Sequence, residues 1–148
     1  MRLWHYKLLP YLPKSQLLAQ WRELNSIFKK QDNHILINYL YEYPKEDFIS
    51  YSSMVIKEMQ KRKYKVDKSN YENYFGSMLL DEDWVHIKYQ SAPFKNHHND
   101  RYLIQCFFNL EEKYDRGQKD FSKKQYDKLN EFVWNEIYIT GEKHDKRS

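Results

Sequence analysis

A single cysteine, Cys106, in 148 residues rules out an intramolecular disulfide framework. No run of about 18 apolar residues occurs, so no membrane-spanning helix is expected. Glycine and proline are scarce, at three and four residues, which favours long helices over a turn-rich β fold. There is no HExxH, no paired-cysteine motif and no glycine-rich phosphate loop. Neither a metal site nor a nucleotide-hydrolysing site is therefore expected. The adjacent pair His97-His98 points to different sides of any regular element and does not make a ligand set. The first 15 residues carry Pro10 and Pro13 and lack a secretory pattern. A cytoplasmic protein without cofactor, acting as a monomer, is the expectation.

What the chain does have is aromatic residues and basic charge. Fourteen Tyr, eight Phe and four Trp supply large rings for burial or stacking. The net charge is +4, and it is unevenly placed. Residues 1–74 hold 13 Lys and Arg against 8 Asp and Glu, whereas residues 75–148 hold 12 against 13. A basic first half suits an anionic partner such as nucleic acid. The competing reading is that these lysines only solvate the surface.

The hydrophobic periodicity predicts a mainly α single domain of about four helices behind an extended N-terminal arm. The arm covers residues 1–12. Helix one follows Pro13 and runs to Lys30, with Leu17, Leu18, Trp21, Leu24, Ile27 and Phe28 on one face. Arg22 and Glu23 fall on its flanks. Ile35–Tyr41 favours β structure but is too short and isolated to promise a sheet. A second helix is predicted over 45–63, with Phe48, Tyr51, Val55, Ile56 and Met59 inward. Residues 64–98 give no clear pattern; Tyr71, Tyr74, Phe75, Leu79 and Leu80 fit a short helix or an aromatic-packed loop. Helix three is predicted from Asn99, with Cys106 on its apolar face and a stop at Gly117. Helix four has a capping box in Ser122 and Gln125, flanked by Phe121 and Tyr126 as a hydrophobic staple. Its stripe continues through Leu129, Phe132, Val133 and Ile137. Residues 1–140 form the domain and 141–148 a polar tail.

The stretch Gln16-Leu-Leu-Ala-Gln-Trp-Arg-Glu-Leu-Asn-Ser-Ile-Phe28, with the start Met1-Arg2-Leu3-Trp4, resembles the pyrimidine-dimer DNA glycosylase family, also called phage-type endonuclease V. Further along, Asn33-His34, Glu58–Tyr64 and Asn109-Leu-Glu-Glu-Lys113 resemble later parts of the family pattern. The likeness is close over residues 1–28 and looser over 34–64 and 97–117.

The resemblance implies a glycosylase and abasic-site lyase that acts on damaged double-stranded DNA through its own N-terminal amine. It implies that Met1 and Glu23 are catalytic. Arg2, Arg22, His34 and Lys113 become candidate DNA contacts. The basic run containing Lys61, Arg62 and Lys65 is a candidate phosphate strip or, on the plainer view, a solvated helix end. His34 has a structural reading as well. The chemistry fits an α-amine, because only a neutral amine is nucleophilic. At neutral pH roughly a tenth of an α-amine is neutral, against almost none of a lysine. A neighbouring Arg2 raises that fraction by like-charge repulsion. A nearby carboxylate then stabilises the cationic imine and moves protons. The second reading is a non-catalytic nucleic-acid-binding module on the same scaffold.

Overall fold

A computed structural model describes residues 2–30, 34–80 and 92–145. Five α-helices lie within that range: α1 (Lys14–Lys30), α2 (Lys45–Lys61), α3 (Ser69–Phe75), α4 (Asp100–Asp115) and α5 (Lys123–Asp145). Short 3-10 helices cover Tyr6–Tyr11 (η1), Asn38–Glu42 (η2) and Gly76–Leu80 (η3). No strand occurs among the described residues. The mainly α expectation holds.

The start of the chain is extended only as far as His5. The His5 side chain then accepts a hydrogen bond from the Lys7 N–H at 3.1 Å and caps η1, which winds the rest of the expected arm into a helix. Ile35–Tyr41 is a turn followed by η2, not a strand. With no partner strand, its backbone groups bond locally, Ile37 N–H to the His34 carbonyl at 2.9 Å and Leu40 N–H to the Ile37 carbonyl at 3.0 Å. Helix α5 runs on to Asp145, into the stretch read as a polar tail.

Helix α1 lacks a good cap of its own. Asp120, in the loop between α4 and α5, supplies one by accepting from the Ser15 N–H at 2.8 Å and the Ser15 hydroxyl at 2.6 Å. The helix is thereby moored to the second half of the chain. Its apolar stripe is fully buried at Leu17, Leu24 and Ile27. Phe28 sits among the rings of Trp21, Phe48, Tyr71, Tyr74 and Phe75, with ring centroids 5.4–6.1 Å apart. That cluster joins α1 to α2 and α3. Truncating a side chain such as Leu24 there costs about 2–5 kcal/mol through reduced burial and the cavity left behind.

The helix ends follow the local signals. Asn99 caps α4 by accepting from the Tyr102 N–H at 3.0 Å. At the other end Gly117 has φ +81°, and the N–H groups of Gly117 and Gln118 bond back to Tyr114 and Lys113. This is the Schellman closure, in which glycine takes the left-handed position at no steric cost. The capping box of α5 forms as expected: Ser122 N–H donates to Gln125 Oε1 at 2.7 Å, and Gln125 N–H to Ser122 Oγ at 3.2 Å.

Candidate active site

The first residues of the chain cross the face of α1 and are held there by main-chain bonds. Gln20 is completely buried, and its Oε1 accepts from the Trp4 N–H at 2.8 Å and from the Tyr51 hydroxyl at 3.0 Å. With its oxygen so used, the Gln20 amide turns its NH2 toward Glu23 Oε2, 3.4 Å away. The Tyr51 hydroxyl also reaches the Trp4 carbonyl at 2.6 Å. Tyr102 donates to the Leu3 carbonyl at 2.5 Å. Leu3 and Trp4 are both buried. A helix, a core tyrosine and a tyrosine from α4 therefore fix the path of residues 3–5.

One step earlier, the Arg2 N–H lies close enough to the Glu23 carboxylate to favour its charged form. Glu23 is half-buried on the flank of α1. Burial raises its pKa above the ordinary carboxyl value, while the Arg2 N–H and the charges of Arg22 and His34 pull it back down. A carboxyl raised in this way gives and takes protons near neutral pH more readily than a fully solvated one.

Glu23 opens into a cleft of about 350 Å³ lined by Arg2, Trp4, Gln16, Ala19, Leu36, Asn109 and Lys113. The Arg2 guanidinium lies over the Trp4 ring, 5.9 Å from its centroid. Gln16 is fixed by a reciprocal amide pair with Gln118, at 3.1 and 2.8 Å. The start of the chain, α1, the turn before η2 and α4 thus meet around one carboxylate. The walls are cationic at two points, polar at two more, and apolar at Trp4, Ala19 and Leu36.

The structure sorts the sequence candidates clearly. Glu23, Arg2 and Lys113 share the cleft. Arg22 is exposed and, with His34, acts on Glu23 electrostatically. The His34 ring nitrogen Nδ1 accepts from the Leu36 N–H at 3.2 Å, so His34 has a structural task in the turn. Met1 lies outside the described residues.

Lys61, Arg62 and Lys65 do not line the Glu23 cleft. Lys61 and Lys65 are exposed at and just beyond the end of α2. Arg62 is turned inward: its Nε bonds Glu58 at 2.9 Å, and its NH2 group reaches the carbonyls of Leu9 and Pro10 at 3.4 and 3.1 Å. The expectation that Arg62 belongs to a phosphate strip does not fit a guanidinium already engaged with a carboxylate and two carbonyls. It ties α2 to η1 instead.

Sequence reasoning missed Gln20, Tyr51 and Tyr102, which hold the arm. Gln20 sits one helical turn before Glu23 on the same side, the one signal that pointed to it. Nothing local marks Tyr51 and Tyr102 among fourteen tyrosines. A second missed group is the pair His5 and His98, whose rings stack with centroids 5.3 Å apart. His98 Nδ1 accepts from the Tyr6 N–H at 3.3 Å, and Nε2 pairs with the Tyr39 hydroxyl at 2.8 Å. Burial lowers the pKa of His5 to about 4 and that of His98 to about 2, helped by neighbouring Lys7 in the first case and by His5 and His97 in the second. Both are neutral structural supports beneath the arm. No group of His, Cys, Asp and Glu placed to hold a metal ion occurs among the described residues. No helix among them is long and apolar enough to cross a membrane.

Fold and cleft together define a small helical protein whose first residues are pinned beside a half-buried carboxylate in a cationic cleft. Residues 1–72 match the model of the family described as pyrimidine dimer DNA glycosylase, so the chain resembles that family over the arm, α1, α2 and the start of α3. No curated protein and no solved structure matches the chain. The match covers a little under half of the chain and is to a family of DNA glycosylases. It stops before α4, which contributes Asn109 and Lys113 to the cleft.

Proposed function

We propose that this protein is a DNA glycosylase with abasic-site lyase activity, in which the α-amine ahead of Arg2 is the nucleophile and Glu23 moves the protons. One observation carries the reading: half-buried Glu23 shares a cleft with Lys113 and with Arg2, the residue that follows the amine. Three covalent bonds separate a terminal amine on Met1 from the Arg2 nitrogen, a reach of about 4 Å at most.

The steps follow from that pairing. The neutral amine attacks C1′ of the damaged nucleoside. The N–C1′ bond forms as the C1′–base bond breaks, and its electron pair leaves with the base. The amine loses a proton, O4′ accepts one from the Glu23 carboxyl, and the sugar opens to a protonated imine. The Glu23 carboxylate then takes a C2′ proton, and the C3′–O bond breaks with its electrons on the phosphate oxygen. Water releases the sugar fragment and regenerates the amine. At an existing abasic site the amine condenses with the C1′ aldehyde, water leaves, and the elimination is the same. Arg2 and Lys113 stand where they can receive the flanking phosphates, and exposed Arg22 extends that surface.

Borohydride reduction on abasic-site duplex tests the assignment. The expected result is a covalent protein–DNA adduct, abolished when the terminus is acetylated or carries an uncleaved extension. An adduct that survives blocking and maps to Lys113 reassigns the nucleophile within the same cleft. No adduct, with no cleavage of abasic or ultraviolet-irradiated duplex, favours the binding-module reading.

A further inference from the structure

One aliphatic side chain that the chemistry above does not use lines the cleft, and a second precedes it in the chain. Leu36 lines the cleft beside Glu23 and is 47% exposed; its neighbour Ile35 is 83% exposed. Both stand on a braced turn. The His34 carbonyl and ring accept from the N–H groups of Ile37 and Leu36, at 2.9 and 3.2 Å. Ile37 is fully buried and anchors the turn in the core, as does Leu40 one turn of η2 further on. The sequence thus presents two large apolar groups to solvent on a firm base, where folding gains nothing from them.

Their setting is otherwise charged and polar. Arg2 and Lys113 share the cleft with Leu36, and Arg22 is exposed next to Glu23. Cations around an apolar tip suit one ligand in particular, a nucleic-acid duplex, with phosphates outside and an apolar stack of bases within. A nucleotide drawn toward Glu23 leaves a gap in that stack, and unstacking is costly unless something fills the space.

We propose that Ile35 and Leu36 form a wedge that enters the base stack beside the nucleotide held over Glu23. The wedge lowers the cost of extruding the lesion and favours sites where stacking is already weakened. This inference rests on the glycosylase reading.

The test uses the full chain and a duplex holding a tetrahydrofuran abasic analogue with 2-aminopurine next to it. Binding of the parent is expected to favour this duplex over an undamaged one and to raise the 2-aminopurine fluorescence. In Ile35→Ser/Leu36→Ser the fluorescence rise should vanish and the preference should fall by at least about tenfold, while undamaged-duplex affinity and its salt dependence stay unchanged. Leu36→Met, which keeps the volume, should retain both signals and shows that the turn is intact. A double serine variant with parental preference and fluorescence overturns the wedge and leaves the glycosylase reading standing. A parent that shows no preference for the analogue overturns that reading, and the wedge with it. An equal drop in affinity for both duplexes in the serine variant identifies these residues as general contacts and also overturns the wedge.

Discussion

Two basic stretches of this chain read alike as sequence and differ entirely in space. One is the start of the chain with α1, where Arg2, Arg22 and, from α4, Lys113 gather around Glu23. The other is the end of α2, where Lys61, Arg62 and Lys65 follow one another with Lys57 and Lys63 nearby. At the first, cations from distant parts of the chain converge on one half-buried carboxylate, and buried amide and hydroxyl groups fix the backbone that brings them. At the second, Lys61 and Lys65 extend into solvent and the one arginine is engaged by Glu58 and two carbonyls. Density of charge along a sequence therefore says little about a site. What matters is a group that the fold keeps partly dry and whose neighbours come from several elements.

The largest way to break this comparison is at its carboxylate. In Glu23→Gln the shape is kept, so folding and binding of abasic duplex should persist. Single-turnover strand cleavage should fall by at least about a hundredfold, the low end for loss of a positioned acid–base group. A rate within about threefold of the parent removes Glu23 from the mechanism.

Acid should sharpen the comparison next, because the supports under the arm include two buried histidines. His5 and His98 are buried and neutral in the fold, with pKa lowered from about 6.5 to about 4 and about 2. In the unfolded chain both bind protons below about pH 6.5. Their contribution to stability is therefore complete above that pH and is lost as pH falls toward their folded values. Between pH 7 and 5 the unfolding free energy should drop by roughly 3–4 kcal/mol, if each histidine follows its own unfolded titration. Urea unfolding across that range reads this directly. In His98→Gln the drop should be about half as large. A flat profile in the parent shows that the two rings are protonated without harm.

How much of this was legible in the sequence depends on range. Helix α1, its buried face, the capping box of Ser122 and the stop at Gly117 are written within a few residues of where they act. Glu23 and Arg2 were found through the pattern of the arm and α1. The η1 helix was missed because it rests on a single cap from His5 inside a proline-containing stretch. The end of α2 misled because it closes through Lys63, a non-glycine residue at φ +65° that carries no stop signal, with Arg62 folded back. The supports Gln20, Tyr51, Tyr102 and His98 act across 16 to 99 positions of chain, and no local pattern announces such pairings.

The smallest effect separates Arg62 from its neighbours and bears on the reading of the whole basic run. In Arg62→Gln the chain gives up a half-buried charged hydrogen bond to Glu58 and the clasp on Leu9 and Pro10. Stability should fall by about 1.5–3 kcal/mol, the usual range for hydrogen bonds to charged groups. Because the guanidinium is engaged by Glu58 and two carbonyls, the dependence of DNA binding on salt should stay as in the parent. Lys61→Gln/Lys65→Gln should behave in the opposite way. These side chains are exposed and add nothing to packing, so the urea midpoint should not move. If they meet phosphates, the salt slope should shrink by about 0.9 for each phosphate no longer neutralised, and by nearly 2 for the pair. An unchanged slope in the double variant returns both lysines to the solvated surface. A reduced slope in Arg62→Gln at parental stability means that the guanidinium leaves Glu58 for a phosphate on binding, and the two basic stretches are then alike after all.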